Sequence, residues 1–202
     1  MKVNDKIMYH FHQKNRYDNM WEPGNEILVD NNFESLFGKI LKEYSIGVQT
    51  NDNYVQFNRV ISHYLEEEQD KETYIDLLKE AEHIIRGGGI FQREMALEIV
   101  RRLCYPELPS RRNSVWLCDE KSGRHWKSSL EEAKDLSLYR VSVSGNLFKS
   151  SDVFLPDEYL RFEDMIIKAH KYWNPEFKNS TQERQAEYLF QGKIKILEKI
   201  RK

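Results

Sequence analysis

Cysteine, proline and uninterrupted apolar sequence are all scarce in this chain. Only two cysteines occur among 202 residues, Cys104 and Cys118, with no CxxC spacing and no ligand cluster around them. A disulfide framework and a thiolate metal centre are excluded, and a reducing compartment is expected. There is no Gly/Ser/Pro linker, internal repeat or low-complexity tract, so one domain over residues 1–202 is expected. No apolar run approaches the ~20 residues that crossing a bilayer requires. The first residues, Met1-Lys2-Val3-Asn4-Asp5-Lys6, carry charge without an apolar h-region. Neither membrane attachment nor a signal peptide is therefore expected, and the cytoplasm is the expected location. Net charge is small as well: 31 basic against 33 acidic side chains leave −2. That excludes a globally basic nucleic-acid binder while leaving room for a local patch. The phosphate loop GxxxxGKS/T, GxGxxG after a strand, the GxSxG elbow and HExxH are all missing.

What is present is enough for a core: 40% apolar residues, with 10 Phe, 11 Tyr and 4 Trp. Ile7-Met8-Tyr9-His10-Phe11-His12 reads as a strand, Trp21-Glu22-Pro23-Gly24 as a turn, and Glu26–Val29 as a second strand, together a hairpin-like start. Residues 31–104 then read as a helical insertion. Phe33, Leu36, Phe37, Ile40, Leu41 and Tyr44 follow helical spacing behind the capping candidates Asn31 and Asn32. Tyr54, Phe57, Ile61, Tyr64 and Leu65 repeat it, with Glu66-Glu67-Glu68 as a solvated face. Tyr74, Leu77, Leu78, Ala81 and Ile85 form a third pattern, which Gly87-Gly88-Gly89 is expected to stop as a left-handed cap. A fourth stripe, Phe91, Met95, Ile99, Val100 and Leu103, runs to Pro106 and Pro109.

The second half changes character. Ser114–Cys118 and Leu138–Val143 read as strands, and Tyr159, Phe162, Met165, Ile166 and Ala169 as one helical stripe ending near Trp173-Asn174-Pro175. Glu187–Phe190 and Lys193–Leu197 read as two strands joined at Gln191-Gly192. Late apolar strands need a partner that the helical middle cannot supply, so an α+β fold is expected in which the first strand pairs with late ones.

Three stretches can carry chemistry. His10 and His12 alternate on a strand and share a face. Metal binding, as in a phosphoesterase, lacks a second set of ligands; a packed pair and a hydrogen-bonding histidine in a nucleotide pocket remain open. Pro109-Ser110-Arg111-Arg112-Asn113-Ser114 is either an ordinary basic loop or a bidentate clamp for a diphosphate. With Arg101 and Arg102 on the preceding helix it makes a positive patch. Gln185-Ala186-Glu187 opens the apolar Tyr188-Leu189-Phe190 and is followed by Gly192-Lys193-Ile194.

The order Tyr9-His10, Trp21 to Gly24, Pro109 to Arg111, Ser114-Val115-Trp116-Leu117 and Glu187 to Ile194 resembles the ADP-ribosyltransferase fold in its His-first variety. It is also similar to an uncharacterised bacterial and phage family. The blocks cover about a fifth of the chain. The resemblance implies a split, mixed β-sheet of that type, with the helical insertion between its first and later strands. It implies NAD as substrate. His10, or His12 on the same face, would bond the ribose and adenosine side. Arg111, or its neighbour Arg112, would meet the diphosphate, and Ser114 and Trp116 would occupy the central-strand position where the family usually has Tyr or Ser. Glu187 would be catalytic, and Gln185 would face the acceptor. His10 and Glu187 are expected to face a common cleft.

The chemistry fits this set. Cleavage of the nicotinamide–ribose bond passes through an oxocarbenium-like state that one carboxylate can stabilise, and the cationic leaving group needs no strong acid. The expected activity is NAD-dependent mono-ADP-ribosyl transfer to a protein or nucleic-acid acceptor. The alternatives are an NAD glycohydrolase, with water as acceptor, and a non-catalytic binding module presenting the 31–104 helices to a partner.

Overall fold

A computed structural model of the chain describes residues 1–13, 20–44, 47–49, 54–66, 70–130 and 136–200. The architecture is α+β. The first strand, β1 (Lys2–Gln13), and β2 (Glu26–Val29) precede α1 (Leu36–Glu43), a two-stranded ribbon β3 (Gly47–Gln49) and β4 (Tyr54–Gln56), α2 (Phe57–Glu66) and the long α3 (Lys71–Cys104). A 3-10 turn over Arg111–Asn113 leads into β5 (Val115–Leu117), then α4 (Glu120–Ser129), β6 (Leu136–Ser151), α5 (Phe162–Trp173), α6 (Ser180–Arg184) and β7 (Ala186–Ile200).

The long central strands organise everything else. β6 pairs with β7 along nearly its whole length, β1 lies on the free edge of β6, and β2 and β5 pair with successive stretches of β7. The first strand thus does pair with a late one, but the hairpin-like start does not form, since β1 and β2 join different strands. All strand pairs among the described residues are antiparallel, so the expected mixed sheet is not what forms. Just beyond β5, Cys118 and Tyr9 exchange two backbone hydrogen bonds of 2.9 Å. This bridge closes the circuit β1–β6–β7–β5–β1.

Alternation decides which side chains go where. Met8, Val141, Val143, Phe190, Ile194 and Ile196 point to one core, with Trp21 and Ile27 added from the β2 side. Phe148 and Leu189 point the other way, into a second core with Leu97 and Val100 of α3 and Ala169, Tyr172 and Trp173 of α5.

Several expectations are corrected by contacts distant in sequence. The cap of α1 is Ser35, not Asn31 or Asn32; its hydroxyl accepts from Gly38 N–H and donates to the Arg111 carbonyl. Tyr54 belongs to β4 rather than to a helix, so the 31–104 insertion is not wholly helical. Glu66 ends α2 exposed, whereas Glu67 and Glu68 lie outside the described residues. Gly87-Gly88-Gly89 does not stop a helix, because α3 runs straight through it. A Cβ on Gly89 would lie 2.4 Å from the Glu158 carbonyl oxygen, and one on Gly87 3.1 Å from the Tyr44 ring. The glycines serve close approach, which offsets their cost to the helix. The buried stripe of α3 is also rotated from the expected one, to Glu94, Leu97 and Glu98, while Leu103 is exposed.

β7 likewise is one strand. Gly192, expected in a turn, faces Gly145 of β6, with φ of +142° and +156°. A Cβ on Gly145 would fall 2.3 Å from the Gln191 carbonyl oxygen, so only glycine lets the backbones approach here.

Candidate functional site

The site is built around Arg111. Its guanidinium sits at the end of the loop that α3 delivers to β5, and the loop is held on both sides. Ser35 N–H bonds the Arg112 carbonyl at 2.9 Å, and Asn113 Nδ2 donates to the carbonyls of Asn31 and Phe33 at 3.0 and 2.7 Å. Arg111 Nε and Nη2 donate to the two carboxylate oxygens of Glu94 at 2.8 and 3.2 Å. Nη1 donates to Tyr172 Oη at 2.6 Å and to Glu187 Oε1 at 3.0 Å. Tyr172 Oη in turn donates to the same Glu187 oxygen. The rings of Phe37, Trp116 and Tyr172 lie 4.5, 4.8 and 5.1 Å from the guanidinium carbon. Glu94, Arg111, Tyr172 and Glu187 are each at most 2% exposed.

Arg111 faces two buried carboxylates, of which Glu94 also accepts from Arg93 Nε at 3.3 Å. Burial pulls the Arg111 guanidinium down, but Glu94, Tyr172 and Glu187 outweigh it, and Arg111 is held cationic well above its ordinary value. Burial pushes the Glu187 carboxyl up, and the opposing Arg111 charge and Tyr172 hydroxyl do not fully offset it. Among the described residues, Glu187 Oε2 is buried with no hydrogen-bond partner, as is Trp116 Nε1. A buried acceptor without a donor is costly, and a ligand hydroxyl is one group that would satisfy it.

His10 occupies the opposite face of the sheet. It is opposite Tyr139, on the face of Met8 and Val141, whereas Glu187 is opposite Ser150, on the face of Phe148 and Leu189. The common cleft expected for these two residues is therefore not formed. His10 stacks on Trp21 at 4.1 Å, and its Nδ1 lies 2.7 Å from the Trp116 carbonyl oxygen. Since a carbonyl only accepts, Nδ1 carries the proton and Nε2 is left as an acceptor. Burial lowers the His10 pKa to about 4, against the raising effect of the Trp116 carbonyl, and nearby His12 lowers it further. His12, on the same face and buried, stacks on Trp21 at 5.2 Å.

The other expected residues fall into place around this axis. Trp116 lies between Phe37, Arg111 and Trp126. Ser114 is buried, and its hydroxyl donates to the Ser110 carbonyl at 2.7 Å, so it is occupied in holding the loop. Gln185 caps the C-terminus of α6, its carbonyl accepting from Asp152 N–H and the Ser151 hydroxyl. Arg111 corrects the diphosphate expectation: its donors are directed to Glu94, Glu187 and Tyr172 under an aromatic cover.

Sequence reasoning missed Glu94, Tyr172 and Phe37. Glu94, Leu97, Glu98 and Arg101 follow i, i+3, i+4, i+7, a stripe hidden because it mixes charge with apolar residues. Tyr172 extends the Met165–Ala169 stripe by three residues and was within reach.

Among the described residues, no three His, Cys, Asp or Glu side chains are grouped to hold a metal ion, and no helix is long and apolar enough to cross a membrane. Residues 8–202 match a family described as a protein of unknown function, DUF2441, and the chain belongs to that family. No curated protein matches the chain.

Proposed function

We propose that this DUF2441 protein is an NAD-dependent mono-ADP-ribosyltransferase whose reacting ribose is held by Glu187, with a protein or nucleic acid as acceptor. The observation that carries the reading is the carboxylate itself. Arg111 and Tyr172 hold Oε1 from one side, so Glu187 is fixed in orientation, and Oε2 is a buried acceptor without a donor among the described residues. A ribose hydroxyl donating to Oε2 would satisfy that atom and bring the negative charge beside the anomeric carbon as positive charge develops there.

The convergence of the blocks supports the same reading. Trp21 stacks on His10, His10 bonds the Trp116 carbonyl, the Trp116 ring covers Arg111, and Arg111 pairs with Glu187. Segments that are far apart in sequence thus form one run of contacts. On this reading Arg111 is a positioning residue for Glu187, Trp116 offers an aromatic face and an unpaired indole N–H, and Gln185, two residues before the glutamate, faces the acceptor. His10 acts from the other side of the sheet by fixing the Trp116 carbonyl. The cytoplasm is the proposed location.

The experiment is incubation with NAD. Release of nicotinamide identifies an NAD-consuming enzyme, and label transferred to a macromolecule separates the transferase from an NAD glycohydrolase. A second reading, a non-catalytic binding module, is favoured by two observations: His10 and Glu187 lie on opposite faces, and Arg111 is sealed from solvent. It predicts no nicotinamide release at any enzyme concentration, and that result would replace the transferase reading.

A further inference from the structure

Beside the buried cluster, the same 110–113 loop forms one wall of an open polar depression of about 330 Å³. Its other walls are Asn31 from the turn after β2, Arg101 and Arg102 from the last turn of α3, and Gln191 from β7. Most charge there is already matched. Glu98 accepts from Arg101, Arg102 and the Ser110 hydroxyl, and Arg101 directs its remaining donors to the carbonyls of Pro106 and Leu108. Glu107 stands on the exposed rim.

Arg112 is different. Its guanidinium has no hydrogen-bond or ion-pair partner among the described residues; Glu34, which senses its charge, is already paired with Lys42. Its backbone nevertheless is fixed, the carbonyl by Ser35 N–H and the N–H by the Ser110 hydroxyl. Gly38 is tied to the same loop, since a Cβ there would meet the Arg112 carbonyl oxygen at 2.7 Å. A half-buried arginine with five unused donors on a rigid loop is preorganised for an anion. Arg102 adds the donors it does not use on Glu98, and Gln191, whose Nε2 bonds the Asn113 carbonyl, adds its second N–H.

We propose that this depression binds the phosphate group of a small molecule, with Arg112 as its principal ligand and Arg102 and Gln191 beside it. A phosphate presents several acceptors to the guanidinium fork. A nucleic-acid backbone is disfavoured, because the chain carries a net charge of −2 and the depression is bounded by two carboxylates instead of opening onto a basic stripe. The inference goes beyond the transferase reading and does not depend on it.

The test is titration calorimetry of the full chain with ADP, inorganic phosphate and adenosine, repeated on Arg112→Gln. Because the guanidinium holds no partner, the variant should unfold like the wild type, which a thermal melt verifies. ADP and phosphate are expected to bind the wild type, ADP at least tenfold more weakly to Arg112→Gln, and adenosine much more weakly than ADP. Equal ADP affinity in wild type and Arg112→Gln, equal affinity for adenosine and ADP, or binding of an oligonucleotide without ADP would each overturn the proposal. A wild type that binds ADP but releases no nicotinamide from NAD refutes the transferase reading and leaves this site standing.

Discussion

Arg111 and Glu187 stand 76 residues apart in the chain and meet through a 3.0 Å hydrogen bond in the interior. That bond ties the loop between α3 and β5 to the start of β7. It also gives the residue expected to clamp a diphosphate a different task. Arg111 holds charge and orientation at Glu187, and Glu94 holds Arg111 in turn.

A buried ion pair is costly to break from one side, because the remaining charge keeps its desolvation penalty. Arg111→Met leaves Glu187 without its cation and Glu94 with Arg93 alone, and should lower stability by about 3–5 kcal/mol. Chemical denaturation measures this. A loss under 1 kcal/mol would mean that the cluster relaxes or admits water, and the positioning role would fail with it.

Glu187→Gln keeps the shape and most of the hydrogen bonding but removes the charge. Nicotinamide release should fall roughly 100-fold or more with little change in NAD affinity, the scale of losing one strong electrostatic contact. Burial holds this carboxyl above its ordinary value. Turnover that needs the ionised form should therefore fade at a pH higher than that of a solvent-exposed glutamate. Gln185→Ala should reduce label on the acceptor while nicotinamide release persists; equal loss of both would show that Gln185 acts on the donor side.

His10 makes stability depend on pH in a defined sense. Its folded-state pKa is about 4, against 6.5 in the unfolded chain. Between these values the unfolded state binds the proton and the folded state does not, so this contribution to stability is lost as pH falls from about 6.5 to about 4. Below that window both states are protonated and no further loss arises from this residue. In denaturant titrations at pH 7.5 and pH 5, His10→Asn should lose less stability on acidification than the wild type. An equal loss would assign the acid sensitivity to other groups.

The triple glycine gives a contrast within one helix. At Gly89 a methyl group would collide with the Glu158 backbone, so Gly89→Ala should destabilise. At Gly87 the nearest atom is the edge of the Tyr44 ring at 3.1 Å, a milder approach. There the gain in helix propensity, about 0.5–1 kcal/mol, works against the contact, so Gly87→Ala should destabilise less than Gly89→Ala. Melting temperatures of the two variants in opposite order would contradict the packing described for α3.

Periodicity was enough to locate β1, β2, β5 and α5, because each buries a single face whose spacing is written locally: Met8 and His10 alternate, and Met165 and Ala169 recur by turns. The α+β class followed for the same reason, since late apolar strands required a distant partner. The sequence also marked Glu187, Arg111, His10 and Trp116 as chemically unusual. It did not determine how they face one another. Arg111 could as well have pointed to solvent, and only the arrival of Glu94 from α3 and Tyr172 from α5 turns it inward. Glycines at 87–89 and 192 carry a local preference for turns, yet Tyr44, Glu158 and Gly145 press against them and keep the helix and the strand continuous. Local spacing sets an element's period; which backbone lies against it, and which charge finds a partner, depends on contacts between segments that no short window of sequence contains.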